Sequence, residues 1–124
     1  MDVWVFGNVD LEQDSLPVRI VPQLQRVRPD CVFHLRDPLE EWDEVPDPLV
    51  IVDTLKGIEK VTVFTNLDAF SDAPAVGMHD LDLLAQLKLL KKVGKLKTVI
   101  VVGVPPSLTP DEAVDQITAA LPKV

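Results

Sequence analysis

Apolar residues recur along this chain with two alternating periods. Short apolar blocks, Trp4-Val5-Phe6, Cys31 to Leu35, Leu49-Val50-Ile51-Val52-Asp53, Val61-Thr62-Val63-Phe64 and Thr98 to Val104, have the length and composition of strands. Between them, apolar residues fall three and four apart. Leu16, Ile20, Leu24 and Val27 make one helical stripe, with Pro17 suited to a first turn and Pro22 placed where it should kink the helix. Leu83, Leu84, Leu87 and Leu90 make a second, in a helix expected from about His79 to Val93 and closed by Gly94. The third runs through Val114, Ile117 and Leu121 and opens on Thr109-Pro110-Asp111-Glu112, a capping box with proline at the first helical position.

This alternation predicts an α/β fold: a single domain spanning 1–124, three layers (α/β/α), with a mixed, mostly parallel, twisted sheet of five strands. Leu49 to Asp53 is apolar without interruption, as a central strand covered on both faces should be. Only residues 54–60 part it from the block at Val61, too few for the dozen or so that a parallel crossover needs, so one strand is expected to be antiparallel. Asp37 to Pro48 is acidic and proline-bearing and reads as a loop with at most one helical turn. Residues 65–78, with Asp68, Asp72, Pro74 and Gly77, read as the longest irregular segment, and loops of that length in a small domain are often functional.

Composition narrows the function classes. Hydrophobic residues make up 47% of the chain and aromatics only 5%, so the core is aliphatic. A formal charge of -8 opposes nucleic-acid binding, since phosphates would meet repulsion over most of the surface. The one basic cluster, Lys88, Lys91, Lys92, Lys95 and Lys97, lies at the end of a helix, where cations complement its dipole. No apolar run is long enough for a membrane span and no basic start marks a signal peptide, so a cytoplasmic protein away from membranes is expected. Cys31, the single cysteine, reads as a small buried hydrophobe instead of a reactive thiol.

Three residues far apart in sequence fall where such a sheet would deliver them to one rim. Asp14 follows the turn after the first strand, Asp53 ends the central strand, and His79 opens the long helix. Singly, each is ordinary: a solvated acid, a strand-end residue, a helix-start residue. Together, two carboxylates and an imidazole can bind a borderline divalent cation such as nickel or zinc with positions left open for substrate. Covalent catalysis has little to work with. The serines are only Ser15, Ser71 and Ser107, and the other histidine, His34, sits within a strand.

Gly7-Asn8, Asp14, Val18-Arg19-Ile20, Leu49 to Asp53, Met78-His79-Asp80 and Val102-Gly103-Val104-Pro105-Pro106, taken in order, resemble the nickel-iron hydrogenase maturation endopeptidases over nearly the whole chain. The resemblance implies a mixed twisted sheet and an aspartyl-type endopeptidase that removes the C-terminal extension of a hydrogenase large-subunit precursor after nickel insertion. It also implies metal ligands at Asp14, Asp53 and His79, with nickel supplied by the substrate, and Asn8 and Asp80 as groups that could orient them. One departure is plain: Gln13-Asp14-Ser15-Leu16-Pro17 lacks the second acid before Asp14 and the glycines after it. A receiver domain that accepts phosphate on Asp53 is a competing reading. It lacks an acidic pair after the first strand, where Gly7-Asn8 stands, and a lysine after the last, where Gly103-Val104-Pro105 stands. A non-catalytic homologue that only binds the large subunit is a third reading.

Overall fold

The computed structural model describes residues 1–8, 10–40, 42, 44–71 and 81–123. Its sheet has five strands, β1 (Asp2–Val5), β2 (Val32–Leu35), β3 (Leu49–Thr54), β4 (Thr62–Phe64) and β5 (Val99–Val104), in the order β2-β1-β3-β5-β4. The first three and β5 are parallel, and β4 pairs antiparallel with β5, Val63 opposite Val102. The mixed sheet expected from the short connection after Asp53 is therefore present. A receiver-type sheet would be ordered 2-1-3-4-5; this order and the reversed strand differ from it.

Alternation along the strands sorts the core into two layers. Leu49, Ile51 and Leu55 join Trp4, Phe6, Val99 and Val101 under α3 (Leu67–Ser71) and α4 (Leu81–Lys92). Val50 and Val52 join Val3, Val5, Val102 and Val104 under α1 (Leu16–Arg19), α2 (Val21–Val27) and α5 (Pro110–Ala120). All six residues of β3 are buried, which explains its unbroken apolar run. Cys31 is buried too, and burial pushes its thiol pKa up, so it behaves as a core residue.

Local chemistry explains the element ends. The stripe from Leu16 to Val27 breaks at Ile20 (φ -96°, ψ 3°), because Pro22 has no N–H to give to the carbonyl one turn back. At the end of α4, Gly94 takes φ +80°, and the N–H groups of Gly94 and Lys95 donate to Lys91 O and Leu90 O, closing the last turn. The capping box forms at α5: Glu112 N–H donates to Thr109 Oγ1 at 3.2 Å and Thr109 N–H to Glu112 Oε1 at 3.0 Å, and the second of these, from the Thr109 backbone, is the main cause that holds the Glu112 carboxyl below its ordinary pKa. Arg28, after α2, donates to the carbonyls of Thr118, Leu121 and Pro122 and pairs with Asp30 at 2.9 Å, tying the end of α5 to the turn after α2.

The expectation of an irregular segment from residue 65 is corrected by α3. Asn66 Oδ1 accepts from Ala69 N–H at 2.8 Å and starts that turn, while Leu67 and Phe70 bury its inner face. Residues 72–80, including the expected helix start at His79, lie outside the described residues. Among the described residues no helix is long and apolar enough to cross a membrane.

Candidate functional site at the carboxyl rim

β1, β2 and β3 run parallel, so their carboxyl ends open on one rim, where a cleft of about 620 Å³ lies. Asp14 and Asp53 both line it, with Asn8, Leu83 of α4 and the stretch from Leu35 to Glu40.

Asp14 reaches the rim because the chain doubles back after β1. Leu11 N–H donates to Asn8 O, Asp14 N–H to Leu11 O at 2.9 Å, and Asn8 N–H to Asp14 O at 3.0 Å. The carbonyl of Asp14 is thus stitched to the end of the first strand. Gly7 makes the approach possible, since a Cβ there would fall 2.6 Å from Asp14 O and 2.8 Å from Val18 Cγ2. Asn8 Oδ1 accepts from Asp10 N–H at 2.9 Å, so the asparagine shapes this loop. The turn that carries Asp14, Glu12–Asp14, is a 3-10 turn, and it is closed by Ser15: its hydroxyl donates to Glu12 O and accepts from Arg19 Nε. Where glycines follow the acid in the resembled family, this chain holds the turn with a serine and has Pro17 in the first turn of α1.

Asp53 comes from the most buried strand. It stands opposite Gly103 of β5, and alternation puts it on the side of Leu49 and Ile51, toward α4. Only 6% of its surface is exposed. A carboxylate sunk this far is held by its surroundings far more firmly than a surface acid.

The third wall was not foreseen from the sequence, which showed Asp37 to Pro48 only as an acidic loop. Arg36 lies 4.3 Å above the Trp4 ring, with its Nε 3.0 Å from Glu40 Oε1. Trp42 Nε1 donates to Asp37 O at 3.2 Å, and its ring packs edge-on against Trp4 at 5.0 Å. The available signal was Trp42: a lone tryptophan inside an acidic loop is an anchor for that loop.

The remaining candidates lie elsewhere. His79 and Asp80 fall outside the described residues. Among the described residues no group of three His, Cys, Asp or Glu side chains stands close enough together to hold a metal ion; of the site residues expected from the sequence, the described part of the rim holds Asp14 and Asp53, with Asp37 and Glu40 also lining the cleft. His34 pairs with Asp2 at 2.9 Å on β1 and β2 and does not line the cleft. The lysine cluster is exposed at the far end of α4 and beyond it.

No protein-family model matches the sequence, and no curated protein matches it. Solved structures do. The chain is similar to the hydrogenase maturating endopeptidase HybD from E. coli, at 24% identity and a TM-score of 0.64, covering 98% of this chain and 92% of that one. It is equally similar to an endopeptidase from Escherichia coli solved in solution, at 25% identity, a TM-score of 0.64 and the same coverage. A hydrogenase 3 maturation protease matches at 17% identity and a TM-score of 0.58, over 96% of this chain and 87% of that chain. The chain thus has the fold of hydrogenase maturation endopeptidases over nearly its full length, as its sequence led one to expect.

Proposed function

We propose that this chain is an endopeptidase of the hydrogenase maturation type, which removes the C-terminal extension of a nickel-iron hydrogenase large-subunit precursor and recognises nickel carried by that substrate. The observation that supports this most is the meeting of Asp14 and Asp53, from two separate segments, in one cleft of a chain with the HybD fold. His79 is the third group assigned to the site. Substrate nickel would act as a Lewis acid on the scissile carbonyl. The chain's own part is to present hard donors at fixed positions. Asp53 is positioned by a strand paired on both sides, and Asp14 by the bonds that draw its turn back onto Asn8, just after β1. His79 must be neutral to coordinate.

The experiment is direct processing. Purified nickel-loaded precursor should be trimmed by the wild-type chain and not by Asp53→Ala or His79→Ala, while precursor without nickel stays intact. Normal trimming by either variant sinks the assignment of that residue. Binding of the loaded precursor with no trimming by wild type would make the chain a silent homologue.

A further inference from the structure

Of the two edges of the sheet, β2 is the one beside the cleft. Backbone groups along a strand face alternately to either side. Val32 and Arg36 face inward, their N–H groups donating to Met1 O at 2.8 Å and Val5 O at 3.0 Å. Phe33 and Leu35, by that alternation, face out.

The outward groups are not treated alike. The Gln25 carboxamide reaches across from α2: its Nε2 donates to Cys31 O at 2.6 Å, and its Oε1 accepts from Phe33 N–H at 3.5 Å. An amide that gives to one residue and takes from the residue two further on repeats the bonding of a residue in an added parallel strand. Beyond the strand, Glu40 Oε1 accepts from Asp37 N–H at 3.1 Å. Between these two side chains, Phe33 C=O and both backbone groups of Leu35 have no hydrogen-bond partner among the described residues. Leu35 is 59% exposed and lines the cleft, and Leu39, also lining it, is 75% exposed.

We propose that this open stretch of β2 is where the extended segment of the protein substrate docks, by strand addition parallel to β2. The proposal rests on the endopeptidase reading above. One guest residue would donate to Phe33 O and accept from Leu35 N–H, and the residue two further on would donate to Leu35 O. A parallel guest advances toward the carboxyl rim, so its C-terminal direction leads to Asp14 and Asp53. Gln25 shows that the edge accepts an amide in this sense, and the bare leucines favour apolar guest side chains. Main-chain bonds supply grip and the side-chain contacts supply choice.

The test uses the full chain with intact precursor, and with a 12-residue peptide spanning the junction of its C-terminal extension. Two further peptides are N-methylated at alternate residues, one in each register. In the complex, hydrogen exchange at the Leu35 amide should slow at least about tenfold, with Val32 and His34, already bonded to β1, unchanged. Methylation in the pairing register should weaken binding by about three- to tenfold per bond removed, and the other register should stay within about twofold. An unprotected Leu35 in the complex, equal losses in both registers, or no binding by either precursor or peptide overturns the proposal. A ligand that protects Leu35 yet is never cut would instead defeat the endopeptidase reading and leave strand addition standing. Cleavage without protection would do the reverse.

Discussion

The two rims of the sheet use charge in opposite ways. At the carboxyl rim one acid, Asp53, is almost fully enclosed, and another, Asp14, is set by backbone bonds to Asn8 and Leu11 in the loop after β1. At the opposite rim five lysines, Lys88, Lys91, Lys92, Lys95 and Lys97, stand exposed around the end of α4. Counting charges would make the lysine end look like the active one. Burial reverses the ranking, because an enclosed charge is fixed in place and feels its neighbours at low dielectric, whereas exposed ammonium groups are screened and mobile. Even within the basic end the rule holds. Arg28, which is mostly buried and bonded to three carbonyls, is structural, and the exposed lysines at the end of α4 are not.

The sharpest way to break this contrast is to disturb geometry at the carboxyl rim without touching a charge. Gly7→Val should lower precursor processing by at least about 100-fold, because its side chain must displace the backbone of Asp14, and misplacement by about 1 Å is enough for such a loss. Thermal melting of the same variant separates a shifted site from an unfolded chain. Retained processing would mean that Asp14 is not needed where it stands. Next in size is Arg28→Ala, expected to cost about 2 kcal/mol in chemical denaturation, since it strands partly buried carbonyls of the last helix, while processing by the folded fraction stays unchanged. Its partner gives a pH signature. Asp30 is held below its usual 3.8, first by its hydrogen bond with Arg28, so the pair's contribution is complete above that value and is lost as pH falls through the lower, folded one. Smallest is Lys91→Gln or Lys97→Gln, each expected within about 0.5 kcal/mol in the same assay. A loss comparable to that of Arg28 would erase the distinction between the two rims.

Much of this was legible in residue order. The buried run Leu49 to Asp53, the short link to β4 and the capping box at Thr109 are local signals, and each fixes an element whatever surrounds it. Pro22 likewise announced its break. Asp14 and Asp53 could be placed on one rim because strand polarity alone decides which end of a parallel strand carries a loop. What escaped depends on contacts between distant segments. The wall at Arg36 exists only because Trp4, on another strand, offers its ring and Trp42 anchors the loop. Helix α3 is five residues long and is held by Asn66 and by burial of Phe70, so it has too few turns to leave a periodic trace. The need for glycine at position 7 is invisible until Asp14 O is seen beside it.

The Gln25 carboxamide has a consequence for the protein in concentrated solution. A strand left bare to receive a guest is equally bare to its own copies, and unguarded edges are where folded chains begin to clump. By occupying Cys31 O and Phe33 N–H, Gln25 keeps the exposed length of β2 too short for a stable mutual zipper while sparing the part nearest the cleft. Gln25→Ala should therefore scatter light at concentrations where the wild-type chain stays clear, with its melting temperature little changed; a variant as soluble as wild type would show that the edge needs no such guard.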